Sequence, residues 1–202
     1  VIGIVAVVGL VAYVLIQSRG EASSNVSQAA IDAEANDSED LPGKWVNLPE
    51  IYGGPYSDTA GHTTTMPDYS EQGEPPAGGP HWSGGACGED PTSAPPQCGP
   101  VQRGFYNEPW PAPSLVHSME HAHVVVWYNT DDEELLQQLR DFAEDNTDKL
   151  LIVTPYDEIP EDTIAMTAWS RRLTFPEGEF DREQAQDFLD FHNCRFDPEE
   201  VC

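Results

Sequence analysis

Residues 1–16, VIGIVAVVGLVAYVLI, form an unbroken apolar run, and no charge precedes Arg19. This run constrains the chain more than any other feature. A helix rises about 1.5 Å per residue, and crossing a bilayer takes roughly 17–25 apolar residues. The run is close to that length. No small-residue cleavage site of the kind that ends a secretory signal follows Ile16. The expectation is a retained single-pass anchor over residues 1–18. Residues 19–42 (RGEASSNVSQAAIDAEANDSEDLP) are acidic, small and almost free of large apolar side chains, which predicts a tether without a core face. Asn25 and Asn36 each open an N-x-Ser glycosylation sequence within it. Residues 43–202 then make one domain of ordinary size.

The cysteines indicate on which side of the membrane that domain sits. They fall as two close pairs, Cys87 with Cys98 and Cys194 with Cys202. Local pairing is the simplest of the three possible connectivities, and neither spacing is the C-x-x-C of a zinc ribbon or redox motif. Disulfides persist in oxidising compartments, so the domain is expected on the extracytoplasmic face of a cell membrane. The net charge is −27, from 36 Asp plus Glu against 9 Lys plus Arg. Phosphate contacts need Lys and Arg, so nucleic acid is excluded as a partner. Acid residues spread over the whole chain suit a high-salt environment, where self-repulsion is screened; a basic protein partner is the alternative.

Residues 43–113 are rich in Pro and Gly with aromatics between them, and predict turns and short strands wrapping a core. Regular structure begins near Leu115. Val124–Tyr128 (VVVWY) reads as a buried strand. Glu133–Asp145 carries Leu135, Leu136, Leu139, Phe142 and Ala143 at helical spacing, behind a cap-like stretch at Asn129–Asp132. Leu150–Thr154 is a second strand, Thr163–Phe175 a third with a break near Ser170, and Asp181–His192 a second helix. The fold class is therefore α+β: a transmembrane helix, a Pro/Gly-rich wrap, and a β-α-β-β-α core with a small open sheet of thioredoxin-like flavour.

Chemistry concentrates in the histidines. His117, His121 and His123 lie within seven residues, interleaved with Met119 and Glu120. On a strand, His117, Met119, His121 and His123 share one face and Glu120 takes the other. On a helix, His117 and His121 form an i, i+4 pair. Either geometry can place two imidazoles on one metal. Imidazole suits zinc, copper, iron and nickel, and thioether favours Cu(I). Met66 lies four residues after His62, and Met119 sits among the histidines, so the company of methionine tilts the choice to copper over zinc. The competing account makes these buried, hydrogen-bonded histidines that fix a turn. His192 reads as a capping or surface residue. His117-Ser118-Met119-Glu120-His121 also fits H-x-x-E-H, in which Glu120 is the base of a zinc hydrolase. That motif belongs inside a helix, and here it runs straight into VVVWY.

Four ordered segments carry a family resemblance. Pro75–Trp82 (PPAGGPHW) resembles P-P-T-S-G-P-H-W, and Gly104–Tyr106 resembles a G-x-Y step. Val116–Asn129 resembles V-H-S-L-E-H-G-x-V-V-I-x-Y-N, and Thr167–Leu173 resembles T-A-W-G-R-x-L. Together they are similar to domain-of-unknown-function family 3105, found behind an N-terminal membrane helix, over roughly residues 62–199. The resemblance implies weight on His81, His117, Glu120 and His121, with His62 beside them. Ala122-His123 replaces the family's glycine step, and Ala77-Gly78 its Thr-Ser.

The functional expectation is a membrane-anchored accessory protein with a histidine-rich metal site. His81, His117 and His121 are the candidate ligands, with His62, Met66, Met119 and His123 as further ones. The alternatives are a non-metal structural subunit of a membrane complex or filament, which implies protein partners or self-assembly, and the zinc hydrolase.

Overall fold

The computed structural model describes residues 41–53, 61–82 and 99–202. The expected anchor, all but the end of the tether, and Cys87 with Cys98 lie outside these residues. Among the described residues no helix is long and apolar enough to cross a membrane.

The described chain is a mixed α/β structure with a six-stranded sheet and four helices. The strands are β1 (Lys44–Trp45), β2 (His62–Thr63), β3 (His81–Trp82), β4 (Gly104–Phe105), β5 (Val124–Asn129), β6 (Leu151–Pro155), β7 (Thr163–Ala168) and β8 (Arg171–Thr174). The helices are α1 (Leu48–Tyr52), α2 (Ala112–Glu120), α3 (Glu133–Asp145) and α4 (Arg182–His192). The main sheet runs β1-β8-β7-β5-β6-β4, while β2 and β3 pair separately. Strands β4, β6 and β5 are parallel; β7 pairs antiparallel with β5, and β8 antiparallel with β7.

Strand β5 is apolar from Val124 to Tyr128 because both of its faces are covered. Val124, Val126 and Tyr128 point to Leu135, Leu139 and Phe142 of α3 and Phe188 and Leu189 of α4. Val125 and Trp127 point the other way, to Leu115, Val116 and Met119 of α2 and Leu48 of α1. The Pro/Gly-rich wrap lies on this second side. Both α3 and α4 start on aspartate caps: Asp132 accepts from the Glu134 and Leu135 amides, and Asp181 from that of Gln184.

Two expectations change. The third strand is a hairpin, not one interrupted strand: Ala168 pairs with Arg171 across Trp169-Ser170, with Ser170 at φ 63°. A serine takes the left-handed position that sequence reasoning reserves for Gly or Asn. His192 is neither a surface nor a capping group. It is buried, with Nε2 donating to the Pro42 carbonyl at 2.8 Å and Nδ1 accepting from Arg195 Nε at 3.0 Å.

Candidate metal centre

Two unrelated segments meet on the α2 side of the sheet. The first is the wrap. Gln72 holds it from within: its Nε2 donates to Gly78 O and its Oε1 accepts from the Ala77 amide. Arg172 on β8 holds it from outside, donating to Pro75 O and Gln72 O. Gly78 has φ 130°, and a Cβ there would stand 2.6 Å from Leu48 Cδ1 and 3.2 Å from the Trp169 ring. Only glycine lets the loop lie this close. The loop delivers His81 onto β3, which pairs in parallel with β2 so that His62 and His81 are register partners. Trp82 Nε1 donates to the Thr65 carbonyl and fastens the two strands together.

The second segment is α2. Pro111 and Pro113 suit its first turn, and the helix ends at His121, followed by Ala122 at φ 65°. The strand geometry that would align His117, Met119, His121 and His123 does not form. On the helix, His117 and Glu120 are spaced i, i+3 and share a face. Glu120 thereby joins the histidines instead of opposing them.

One donor atom from each of His62, His81, His117 and Glu120 lies within 4.8 Å of the others. Bonds of about 2 Å to a common ion place its ligand atoms about 3–4 Å apart, so donors gathered within 4.8 Å need only small side-chain shifts to share one ion. His81, His117 and Glu120 are buried, while the His62 side chain is 47% exposed. The cluster can hold a metal ion.

Hydrogen bonding sharpens that statement. His81 Nδ1 is 3.0 Å from the Gly79 carbonyl. A carbonyl only accepts, so Nδ1 carries the proton, and in the neutral ring Nε2 is a bare lone pair. That lone pair lies 2.8 Å from Glu120 Oε2. Two acceptors facing each other in a buried place require something positive between them: a proton shared by the pair, or a cation bound by both. An N–H given to a backbone carbonyl is also how metal-ligating histidines are oriented. His117 adds a second signal. Its Nδ1 is buried without a hydrogen-bond partner, while its Nε2 is 3.1 Å from His121 Nε2. Burial, then the neighbouring His81 and His121, lower its pKa to about 4. His117 is therefore neutral at pH 7 and has no second proton to lose to a metal.

The sequence candidates separate accordingly. His62, His81 and His117 come together, with Glu120 as the fourth donor. The candidate ligand set named from sequence omitted Glu120; its i, i+3 spacing from His117 was the available signal. His121 stands one step out, with its Nε2 also 3.1 Å from Glu199 Oε2. His123 is buried and gives its Nδ1–H to the His121 carbonyl at 2.8 Å, and burial lowers its pKa. Met119 packs in the hydrophobic core, and Met66 is 57% exposed. The H-x-x-E-H motif does begin in a helix, against the sequence expectation. It nevertheless places Glu120 among the donors, 2.8 Å from His81 Nε2, and leaves His121 outside the cluster. Cys194 and Cys202 form a disulfide.

No curated protein and no solved structure matches the chain. The family model for "Protein of unknown function (DUF3105)" matches residues 62–202, from the first histidine of the cluster to the last cysteine. On that match, covering the greater part of its length, the chain belongs to this family of proteins of unknown function.

Proposed function

We propose that this protein is an extracytoplasmic accessory protein, tethered through residues 1–18, whose domain binds one divalent transition metal through His62, His81, His117 and Glu120. The observation that carries the proposal is the facing pair His81 Nε2 and Glu120 Oε2, buried 2.8 Å apart with the other imidazole nitrogen already committed to a carbonyl. Three imidazoles and a carboxylate are nitrogen and oxygen donors. They suit Cu(II), which divalent sites bind most tightly in the first row, with zinc as the competitor. The thioether argument for Cu(I) loses its support, since Met119 is spent on the core. Electron paramagnetic resonance of the Cu(II)-loaded protein tests the donor set. Hyperfine coupling to imidazole nitrogen, weakened in His117→Ala, supports the reading. A spectrum unchanged by that substitution refutes it.

A second reading is favoured by the same pair. A proton on His81 makes an imidazolium–carboxylate ion pair that fixes the wrap to α2, as in a structural subunit without metal. Metal content separates the two.

A further inference from the structure

The C-terminal loop returns to the candidate centre. Cys194 donates its amide to the Ala122 carbonyl at 3.2 Å, just past the end of α2. Phe196 stacks on Trp169 with ring centroids 4.5 Å apart, and the Trp169 ring meets His81 edge-on at 6.3 Å. The Arg195 guanidinium donates to the Trp169 carbonyl. Asp197 accepts from the Val201 and Cys202 amides at 2.7 and 2.9 Å, and the Cys194–Cys202 disulfide closes the turn. So built, the loop presents Glu199 to His121.

The placement of that pair is specific. His121 Nε2 is 3.1 Å from Glu199 Oε2 on one side and 3.1 Å from His117 Nε2 on the other. Glu199 is exposed and His121 partly so, whereas His117 is buried and holds the unpartnered Nδ1. A carboxylate at the surface, an imidazole behind it and a buried imidazole behind that form a graded series of donors. Each is within reach of the next, and solvation falls along the series.

Resting on the metal reading above, we propose that Glu199 and His121 form an outer subsite for a divalent cation, through which the buried centre takes up its metal. The Cys194–Cys202 disulfide keeps Glu199 in place. The outer pair offers two donors and solvent, so it captures a hydrated ion and holds it weakly. The inner cluster offers four donors and retains it. A carboxylate ahead of a site also raises the local cation concentration. A loop that merely covers the centre acts in the opposite direction, because loosening it speeds exchange.

The test is stopped-flow uptake of Zn²⁺ from a fluorescent chelator by the metal-free chain, comparing wild type, Glu199→Gln and the double variant Cys194→Ser/Cys202→Ser. Glu199 is exposed and its variant keeps the disulfide, so Glu199→Gln leaves the fold intact and the test stands even where the double variant does not fold. Uptake slowed by roughly threefold or more in Glu199→Gln, a modest share of what a charged cleft supplies, with zinc stoichiometry unchanged, supports the subsite. Unchanged or faster uptake overturns it while leaving the inner centre standing. Failure of the wild type to bind either Zn²⁺ or Cu²⁺ overturns the centre and the subsite together.

Discussion

Replacing Glu120 by glutamine separates a metal centre from an ion pair, because only a metal centre makes the loss depend on added metal. The amide is nearly isosteric with the carboxylate and can donate. In the metal-free protein a proton holds His81 Nε2 and Glu120 Oε2 together at 2.8 Å, while Nδ1 is committed to Gly79 O. The glutamine N–H keeps a neutral hydrogen bond to Nε2 in place of the charge-assisted one, at a cost of about 1–2 kcal/mol. For a chain of this size that moves the midpoint of thermal unfolding down by about 2–4 °C per kcal/mol. Metal widens the gap. At a free concentration a hundredfold above its dissociation constant, a ligand stabilises the native state by about 2.7 kcal/mol. Wild type gains this and the glutamine variant, lacking an anionic donor, does not. The assay is calorimetric unfolding at pH 8 of both proteins, with a chelator and with Cu²⁺ or Zn²⁺. A variant that loses about 3–5 kcal/mol without metal, beside a wild type indifferent to metal, refutes the reasoning and establishes a buried imidazolium–carboxylate pair.

Three further outcomes follow from particular residues. His192 is held neutral, its pKa lowered to about 3 by burial first and then by Arg195 and Arg171, against the stabilising bond to Pro42 O. Its contribution is complete above pH 6.5 and is lost as pH falls toward 3, at roughly 1.4 kcal/mol per pH unit. Urea midpoints taken from pH 7 to 4 should fall more steeply in wild type than in His192→Gln. Ala122 holds φ 65° at the end of α2, a conformation that glycine adopts without strain. Left-handed backbone costs an L-residue about 1–2 kcal/mol, partly offset by the greater freedom of unfolded glycine. Ala122→Gly should therefore raise stability by up to about 1 kcal/mol in chemical denaturation. Met66→Leu and Met119→Leu should leave copper affinity unchanged in a competition titration, with Met119→Leu costing less than about 1.5 kcal/mol of stability as a volume-conserving core change.

The core was legible where periodicity is strong and burial one-sided or complete. VVVWY, the Leu135/Leu139/Phe142 stripe behind Asp132, and the helix ending at His192 each declared themselves within one short window. The sheet's full width did not. β1 and β4 are two residues long, and their partners Arg171–Arg172 and Ile152–Val153 lie far along the chain. The Trp169-Ser170 turn lacked a glycine, so two strands read as one. At the site, three of the four clustered donors were identified as histidines. Their convergence depends on a parallel β2–β3 pairing that leaves no periodic trace. Glu120 fell on the wrong face because a helix and a strand place residue 120 oppositely relative to 117. The prolines at 111 and 113 favoured the helix. Met119 drew the metal reading toward thioether ligation by adjacency alone, yet the same helix turns it into the core.

The central claim is a metal held by His62, His81, His117 and Glu120, and metal content tests it most directly. The full chain would be purified without an affinity metal, in high salt, and assayed by inductively coupled plasma mass spectrometry beside His81→Gln. The account predicts close to one equivalent of copper or zinc per wild-type chain and little in the variant. A folded wild-type protein that carries no metal, and takes none up when Cu²⁺ or Zn²⁺ is supplied, contradicts it.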